Sequence, residues 1–506
     1  MSTRSSSRFI QLNASDNVAV VLETIDPGVH LDGLDLQSGE LIPAGHKIAV
    51  AAIESGQAIT KYGQQIGVAS QDISPGAHVH THNVEVTDFD RVASPIDTNH
   101  AASTAEVPRT FDGIRRESGR AATRNYIGIV TSVNCSATVA NYIAAGFDDL
   151  DACPNVDGVV PITHGHGCGQ GADEPGMLQL QRTLAGFCEH PNFAAVLVVG
   201  LGCETNQIAS MLESEGLAES ERLSTMTIQG EGGTKATVER GREIVRELLP
   251  MANEIERVPI LASELVLGLE CGGSDGYSGI SANPALGRAA DLLVQQGGTA
   301  ILSETPEIYG AEHLLRARAA DAAVAAKLDE LISWWEDYVE TSGGKMDNNP
   351  THGNKAGGLT TIYEKSLGAV AKGGTSPLVD VYRYAEPITR NGFVFMDSPG
   401  YDPMSITGQV ASGANLVAFT TGRGSVYGCK PVPSLKIATN SEMFNRMRDD
   451  MDINCGRIVD GDATVEEMGL EIFDLLIDVA SGQKTRSELL GFGDNEFRPW
   501  VFGAQM

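Results

Sequence analysis

The sequence has few of the features that mark membrane-embedded, secreted or nucleic-acid-binding proteins. No apolar run reaches the ~20 residues needed to cross a bilayer, and the N-terminus, MSTRSSSR, is basic but has no apolar core of a secretory signal. Lys and Arg are scarce, 36 against 66 Asp and Glu, so the net charge is −30. So acidic a chain is not expected to bind nucleic acid or an anionic membrane.

Cysteine is also sparse, whereas glycine is abundant. Eight cysteines in 506 residues, mostly inside apolar segments, predict reduced thiols and a cytoplasmic protein rather than a disulfide framework. The sequence contains no repeat of fixed period. Its 57 glycines exceed the ~7% that is usual, and they gather at predicted strand ends, where we expect close backbone approaches.

Four apolar or β-prone runs end in a turn that carries a cysteine beside small or polar residues. These turns contain Cys135, Cys168, Cys203 and Cys271. Buried parallel strands read as short apolar runs, and ligands bind beyond their carboxyl ends. The pattern therefore predicts one polar site at the end of a sheet, and hence an enzyme.

The order of strand-like and helix-like segments predicts a small N-terminal all-β domain followed by α/β domains with mainly parallel sheets. We assign an all-β domain to residues 1–86, a polar linker to 87–110, a central α/β domain to 111–255 and a C-terminal α/β domain to 256–506. Helices are expected at 177–188 and 237–249, and a helix pair within 311–339. Residues 347–358 are predicted to form a long irregular loop, which is often functional.

Three histidines alternate along one predicted strand. Because residues two apart on a strand share a face, His78, His80 and His82 could all point the same way. Imidazoles suit divalent transition metals, and two of the three are enough to bind one ion. The alternative is a solvated edge strand with incidental histidines.

A second group of reactive side chains lies in glycine-rich turns. The turn His164-Gly-His166-Gly-Cys168 could be a metal site, an acid/base site or an anion-binding nest, or else a tight turn around a structural thiol. Gly200-Leu-Gly-Cys-Glu204 follows a strong strand, but Thr205 stands where a dinucleotide fingerprint has its third glycine, so nicotinamide binding is not predicted.

Carboxylates and cations follow other predicted strands. Glu304 and Glu307 could be metal ligands or general bases, although Glu307 could equally be a first-turn helix acid. Lys355 and Arg423 each lie in a glycine-rich loop, and the planar fork of Arg423 suits a carboxylate. The alternative for both cations is a surface ion pair.

Together these motifs resemble the altronate/galactarate dehydratase family of sugar-acid hydro-lyases. Residues 8–86 look like the family's β-clip, or SAF-type, domain, with Lys61-Tyr-Gly63 and the histidine strand. The resemblance covers nearly the whole chain. It rests on Thr123–Tyr126, His164–Cys168, Gly200–Glu204, Glu270–Asp275, Ser281–Pro284, Gly353–Gly358, Glu364–Ser366 and Phe419–Gly424.

The resemblance implies dehydration of a polyhydroxy acid to a 2-keto-3-deoxy acid with a divalent metal, iron(II) or alternatively manganese(II). The histidine strand is similar to the altronate type, whereas the 127–135 run is similar to the galactarate type. We expect a homodimer whose only other partner is a small sugar acid. The implied catalytic residues are His164, His166, Glu304 and Lys355; substrate-binding residues are Arg124, Asn125, Ser274, Asp275, Asn354 and Arg423; metal ligands are His78, His80, His82, Cys168 and Glu204.

Three other functions stay open from the sequence. The four strand-end cysteines could hold an iron–sulfur cluster, as in other sugar-acid dehydratases, although their spacing is not compact. A sulfolactate-cleaving branch of the same family is similar too, but it divides the β-clip and main domain between two chains. A non-catalytic sugar-acid-binding protein is the third.

Overall fold

The computed structural model describes residues 8–87, 105 and 107–506, so most of the predicted linker lies outside the described residues. The N-terminal part is all β and antiparallel, with sheets ordered β1-β2-β5-β8 and β6-β7-β9 and a β3-β4 hairpin. Its strands are β1 (Phe9–Ile10), β2 (Val18–Val21), β3 (His30–Leu31), β4 (Leu36–Gln37), β5 (Lys47–Ala49), β6 (Ala58–Lys61), β7 (Gln64–Ala69), β8 (His78–Val79) and β9 (Val84–Glu85).

The strand predicted through His82 is shorter than expected. It ends at Val79 because Asn83 closes a turn: its amide donates to the His78 carbonyl (2.9 Å), and its side-chain oxygen accepts from the His80 N–H (2.9 Å).

A four-stranded parallel sheet ordered β13-β12-β14-β15 forms the centre of the next part. A small antiparallel sheet, β11-β10-β16, lies beside it in sequence. The elements are β10 (Thr110–Arg115), β11 (Ala121–Ala122), β12 (Tyr126–Thr131), α1 (Ala137–Ala144), β13 (Gly158–Ile162), α2 (Pro175–Cys188), β14 (Phe193–Gly200), α3 (Ile208–Ser214), β15 (Leu223–Thr227), α4 (Thr234–Asn253) and β16 (Val258–Leu261).

A seven-stranded parallel sheet ordered β19-β20-β18-β17-β21-β22-β23 organises the rest of the chain. The elements are β17 (Val266–Cys271), α5 (Ala282–Gln295), β18 (Thr299–Leu302), α6 (Glu312–Ala317), α7 (Ala322–Thr341), α8 (His352–Ala356), α9 (Ile362–Val370), β19 (Leu378–Tyr382), β20 (Gly392–Met396), α10 (Asp402–Ala411), β21 (Leu416–Thr421), β22 (Ser434–Ala438), α11 (Ser441–Arg446), β23 (Ile453–Asn454), α12 (Gly456–Val459), α13 (Val465–Ala480) and α14 (Arg486–Leu489).

The predicted fold class is therefore confirmed: an all-β N-terminal domain precedes α/β domains with parallel sheets. The predicted helix pair within 311–339 corresponds to α6 and α7. The segment predicted to be irregular contains the short helix α8, which begins with a capping box between Thr351 and Asn354. None of the described helices is long and apolar enough to cross a membrane.

The seven-stranded sheet is buried on both faces, and its residues alternate between two cores. Phe393 and Phe395 of β20 enter a core that continues into the β-clip, whereas Val394 and Met396 enter a core shared with the central domain. This period-two pattern follows from the pleat of a strand. Only the ends of the strands are left to form a polar site.

Candidate active site

The candidate active site is a cavity lined by several ionisable side chains, and it lies at the switch point of the seven-stranded sheet. The central strand β17 pairs with β18 on one side and β21 on the other, and ligands bind outside the carboxyl ends of strands at such a point. A cavity of about 470 Å³ opens there. Cys271 at the end of β17, Glu307 after β18, Asp402 at the start of α10 and Arg423 after β21 all contribute to its lining.

Two buried lysines organise the floor of this cavity. The Lys365 ammonium donates to Glu307 Oε1 (2.6 Å) and to Asn349 Oδ1 (2.8 Å). The Lys372 ammonium donates to Cys271 Sγ (2.8 Å) and to Glu304 Oε2 (3.1 Å). Each lysine therefore holds one carboxylate in place below the cavity.

Glu304 lies at the bottom of this arrangement, completely buried, with a left-handed φ of 70°. Such a backbone conformation costs a non-glycine residue about 1–3 kcal/mol and is concentrated at functional sites. The Glu304 N–H donates to Ser398 Oγ (2.9 Å), which helps to fix it. Glu304 is not among the residues that line the cavity, and its predicted catalytic role stays a prediction.

Burial and mutual repulsion spread the pKa values of the carboxyls widely. Burial, with the neighbouring Glu304, raises the pKa of Glu270 well above its usual range. Burial and Glu307 raise the pKa of Glu304 to about 7 and that of Asp402 to about 6. Burial alone would raise the pKa of Glu307, but Lys365 and Lys372 hold it below its usual value. One site thus contains carboxyls suited to carry a proton and carboxylates suited to accept one.

The floor of the cavity contains two groups of possible metal ligands, and the group with Cys271 is a poor metal site. Cys271, Glu304 and Glu307 bring three possible ligand atoms within 4.8 Å of one another, as do Glu270, Glu304 and Asp402. However, the Lys372 ammonium already occupies the cationic position between Cys271 and Glu304. Burial raises the pKa of the Cys271 thiol to about 12 despite Lys372, so it is protonated at neutral pH.

Arg423 and α8 form the cavity's outer wall. The Arg423 N–H donates to the Gly273 carbonyl (2.9 Å), which ties its loop to the end of β17, and its side chain is exposed. Asn354 is buried and donates to the Ser274 carbonyl (2.8 Å). Asp275 accepts from Thr439, Asn440 and other donors, and Asn440 also holds the Gly422 carbonyl (3.1 Å). Through Asn440, Asp275 therefore helps to fix the loop that carries Arg423.

A cluster of four histidines, His46, His78, His80 and His82, lies behind this wall in the β-clip. The β5–β8 register pairs Lys47 with Val79, which sets His46 opposite His80. The ring centroids of His46 lie 5.1 Å from His78 and 4.7 Å from His80, and His82 lies 5.4 Å from His78. We refer to these four residues as the histidine cluster.

Two of these rings contact the backbone of α8. Nε2–H of His80 donates to the Lys355 carbonyl (2.8 Å), and Nε2–H of His46 donates to the Ala356 carbonyl (3.3 Å). Lys355 takes part in these contacts through its carbonyl group, so its predicted catalytic role stays a prediction. Because residues of α8 also line the cavity, the histidine cluster and the cavity lie on opposite sides of one short helix.

Three observations favour a divalent metal at the histidine cluster, and two oppose it. His46 Nδ1 and His78 Nε2 are 3.0 Å apart, which is about the separation of two nitrogens bound at right angles to one ion. The carbonyl bonds to His46 and His80 resemble the outer-shell contacts that orient ligating histidines. Burial lowers the pKa of His46 to about 4 and that of His78 to about 3, so both are neutral, the form that binds metal. Against a metal, Nδ1 of His80 is hydrogen-bonded to Thr81 Oγ1 (3.1 Å), and the groups of three close ligand atoms found among the described residues do not include these histidines.

The β-clip is fixed to the C-terminal domain by a buried ion cluster. The Lys47 and Lys61 ammonium groups donate to the Glu364 carboxylate at 2.8 and 2.9 Å, and all three side chains are essentially inaccessible. Lys47 also donates to the Gly358 carbonyl (2.7 Å). The domain that carries the histidines is therefore held next to the cavity wall.

Two predicted substrate-binding residues have structural roles. Arg124 is completely buried; it forms a bidentate ion pair with Glu488 (2.6 and 2.9 Å) and donates to three backbone carbonyls. Asn125 donates to the Asn155 and Ala252 carbonyls. Their donors join segments of the backbone, so these contacts give no support to the predicted contact with substrate, which stays a prediction.

His164 and Glu204 are also structural. His164 Nε2–H donates to the Thr131 carbonyl (2.9 Å), while its Nδ1 accepts from the His166 N–H (3.1 Å), so both ring nitrogens are occupied. Glu204 accepts from Ser132 Oγ (2.7 Å) and from two backbone amides in its own turn. Their predicted roles as base and metal ligand are therefore not supported.

His166 and Cys168 belong to the central domain rather than to the cavity lining. His166 is half-buried beside the Gln505 amide, and Cys168 is exposed. The four strand-end cysteines are divided between two sheets: Cys271 is buried beside Lys372, while the other three are exposed on the central domain. A single iron–sulfur cluster bound by all four cysteines, which the sequence left open, is not consistent with this division.

The sequence interpretation missed Lys372, Lys365, Asp402 and His46. Lys365 lies in the Glu364–Ser366 motif, and Lys372 follows α9 in a glycine-rich turn. The sequence therefore indicated only weakly that both lysines belong to the site. His46 precedes a predicted strand and could have been found by pairing that strand with the histidine strand.

Sequence models of three known domains match consecutive parts of the chain. The altronate/galactarate dehydratase SAF domain matches residues 7–87. The second domain of D-galactarate dehydratase/altronate hydrolase matches 113–253, and the C-terminal domain of D-galactarate/altronate dehydratase matches 262–505.

Three curated proteins are similar to the chain over nearly its whole length. Altronate dehydratase of Bacillus subtilis is 38% identical over 95% of this chain and 96% of its own. Altronate dehydratase of Escherichia coli is 36% identical over 97% of this chain and 98% of its own. Galactarate dehydratase (L-threo-forming) of Escherichia coli is 38% identical over 94% of this chain and 93% of its own.

Proposed function

The chain belongs to the altronate/galactarate dehydratase family, and on this premise we propose that it removes water from a sugar acid in the strand-end cavity. The prediction of a hydro-lyase is confirmed by these relatives. The observation that carries the specific proposal is the grouping of Asp402, Lys365 and Arg423 around one cavity. They provide a base, an acid and a carboxylate partner.

Asp402 is the proposed general base. It lines the cavity, and burial raises its pKa to about 6, close to the value at which a base is both ionised and effective near neutral pH. It would take the proton from the carbon next to the substrate carboxylate. Glu304, one of the bases expected from the sequence, lies below Cys271 and would act with Glu270 as a proton-holding pair.

Lys365 is the proposed general acid. Its ammonium group is held by Glu307 and Asn349 at the edge of the cavity, and the surrounding carboxylates, opposing burial, raise its pKa. It would donate a proton to the departing hydroxyl. Loss of water leaves an enol, which becomes the 2-keto-3-deoxy acid by taking up a proton at C3.

Arg423 is the proposed partner of the substrate carboxylate. Among the described residues, it is the cavity-lining cation without a carboxylate partner, since Lys365 is paired with Glu307. One free cation suits an acid with one carboxylate better than a dicarboxylate. We therefore expect an aldonate such as altronate to be preferred over an aldarate such as galactarate.

His46, His78 and His80 would hold the divalent metal, with His82 beside them. Bound there, iron(II) or manganese(II) would lie across α8 from the cavity, so it would act on the substrate through the α8 residues that line the cavity. The proposal is supported by the neutral, carbonyl-oriented imidazoles and by their closeness to α8. Lys372 argues against a metal at Cys271, whereas Glu270, Glu304 and Asp402 are the alternative ligands, since the Oε1 atoms of Glu270 and Glu304 are buried without a hydrogen-bond partner.

A screen of aldonic and aldaric acids tests the proposed function. The full-length protein is loaded anaerobically with iron(II) or manganese(II), and formation of 2-keto acid is measured for each compound. We expect turnover of one or more aldonates with a higher kcat/KM than for galactarate. Absence of 2-keto acid from every compound with either metal would contradict the proposal.

A further inference from the structure

Three exposed thiols lie in the loops that follow adjacent strands of the central domain. Cys135 follows β12, Cys168 follows β13 and Cys203 follows β14. The neighbouring order β13-β12-β14 brings the three loops side by side. The proposed dehydration chemistry uses none of these thiols.

Backbone hydrogen bonds fix the three loops against one another. The Asn134 N–H donates to the His166 carbonyl (2.9 Å), which joins the Cys135 and Cys168 loops. The Asn206 N–H donates to the Gly167 carbonyl (3.0 Å), and its side-chain amide donates to the Ser132 carbonyl (3.0 Å). Each cysteine is thus within a few residues of a bond to a neighbouring loop, so the three cysteine-bearing loops are joined at one edge of the sheet.

Glycines in left-handed conformations surround these thiols. Gly167 (φ 103°) and Gly169 (φ 82°) flank Cys168, and Gly202 (φ 120°) precedes Cys203. A Cβ at Gly167 would lie 2.4 Å from the Ser132 carbonyl oxygen, so glycine is required there by packing as well. Alternation of left- and right-handed residues turns successive N–H groups toward one side, and such nests bind phosphates and iron–sulfur clusters.

We propose that Cys135, Cys168 and Cys203 bind an iron–sulfur cluster through three thiolates. Thiolate ligands favour zinc, copper(I) and iron–sulfur centres. With metal–sulfur bonds of ~2.3 Å, two thiolates on one ion lie no more than about 4.6 Å apart. Among the described residues, the groups with three ligand atoms that close together do not include these thiols. A cluster spans wider separations, since each thiolate binds a different iron.

A cubane cluster ordinarily takes four cysteine ligands, so three thiolates leave one iron open to another ligand. The fourth strand-end thiol, Cys271, is engaged with Lys372 beneath the cavity and does not complete the set. Binding is a ligand exchange in which each thiol releases its proton to solvent. It is independent of the proposed dehydration, because it is read from bound iron and sulfide rather than from turnover.

Anaerobic reconstitution of the full-length protein with iron(II), iron(III) and sulfide tests this proposal. Bound iron, acid-labile sulfide and visible absorbance are measured after gel filtration for the wild type and for Cys135→Ser, Cys168→Ser and Cys203→Ser. Cys153→Ser, elsewhere in the central domain, and Cys271→Ser are the controls. We expect the wild type and both controls to retain sulfide and colour, and each of the three variants to lose them while keeping its Tm.

Thiol alkylation followed by peptide mapping of the wild type provides a measurement that does not depend on any variant folding. Reconstitution should protect Cys135, Cys168 and Cys203 but leave Cys153 reactive. Iron bound without sulfide, sulfide retained by all three variants, or equal alkylation of all four thiols before and after reconstitution would overturn the proposal.

Discussion

At the scale of single residues, Asp402 is proposed to be required for activity, whereas its burial lowers the stability of the folded protein. Burial holds its folded pKa near 6, above the unfolded value of ~3.9. Above pH 6 its ionised form therefore costs folding free energy. We expect Asp402→Asn to lower kcat by about 10²–10⁴-fold while its Tm stays the same or rises.

The wild-type pH profile checks the same residue. Since the base must be deprotonated, kcat/KM should fall as the pH decreases through about 6. The exposed Asp449→Asn is the control and should retain the wild-type profile. An Asp402→Asn variant with full activity, or a loss of activity that follows unfolding, would remove Asp402 from the mechanism.

Arg423 is expected to contribute through the geometry of its guanidinium group. Arg423→Lys retains the charge but loses the bidentate fork. Hydrogen bonds to charged groups contribute roughly 1.5–3 kcal/mol, which corresponds to about 10- to 150-fold in kcat/KM. We expect at least a tenfold loss with an unchanged Tm, measured against Arg446→Lys on exposed α11. Equal kcat/KM values for both variants would show that the guanidinium group of Arg423 does not bind the substrate carboxylate.

The histidine cluster predicts a metal effect that can be measured without turnover. His80→Ala removes one proposed ligand, whereas His30→Ala removes an exposed histidine from the same β-clip. Because a ligand bound only by the folded state raises Tm, iron(II) or manganese(II) should stabilise the wild type and His30→Ala but not His80→Ala. Metal content after gel filtration should follow the same order. Identical metal content in His80→Ala and the wild type would contradict this assignment.

At the scale of elements, the attachment of the β-clip depends on Glu364. Burial alone would raise the pKa of this carboxyl, but Lys47 and Lys61 hold it far below its usual value. Its stabilising contribution is therefore complete above the unfolded pKa of ~4.3 and is lost only in strong acid. Glu364→Gln would leave two buried ammonium groups uncompensated.

We expect Glu364→Gln to lose about 3–5 kcal/mol of unfolding free energy, together with activity. Denaturant unfolding at neutral pH measures the change. Glu442→Gln, whose side chain is exposed, is the control and should match the wild type. A variant as stable as the control would show that the ion cluster does not fix the β-clip.

The sequence predicted elements more completely than the contacts between them. Apolar runs and glycine turns indicated β17 and β18, and thereby Cys271 and Glu304 at their ends. Lys372 could not be assigned, because its contact with Cys271 joins positions 101 residues apart and depends on strand order. The ion pair of Arg124 with Glu488 could not be predicted either, because an arginine in a motif has the same sequence signature whether it binds substrate or a distant carboxylate.

The histidine strand shows the same limit on a smaller scale. Alternation correctly grouped His78 and His80, but the turn formed by Asn83 ends the strand at Val79. His46 joins the cluster only through the register of β5 against β8. Local periodicity carries no information about that pairing, so His46 could be assigned to the cluster only from the structure.

At the scale of the whole molecule, the net charge of −30 should repel an anionic substrate. Salt screens exposed charges beyond a Debye length of about 10 Å at 0.1 M, whereas a contact with Arg423 inside the cavity is screened less. We therefore expect KM to fall as sodium chloride is raised from low to physiological ionic strength, with kcat nearly constant. A steady rise in KM over that range would mean that local cations dominate the approach of substrate.

The homodimer expected from the sequence stays a prediction, which light scattering of the purified protein would check. The cavity described above is formed by residues of a single chain, from Cys271 to Arg423. Activity per chain should accordingly not depend on protein concentration across the dimer's dissociation range.

Product analysis in deuterium oxide tests whether the protein eliminates water by way of an enol. The metal-loaded wild type and Asp402→Asn are incubated with altronate, and the products are examined by NMR and mass spectrometry. We expect the wild type to form a 2-keto-3-deoxy acid with one solvent-derived deuterium at C3. Asp402→Asn should form almost no product. A product without deuterium at C3, or equal amounts of product from both proteins, would contradict this mechanism.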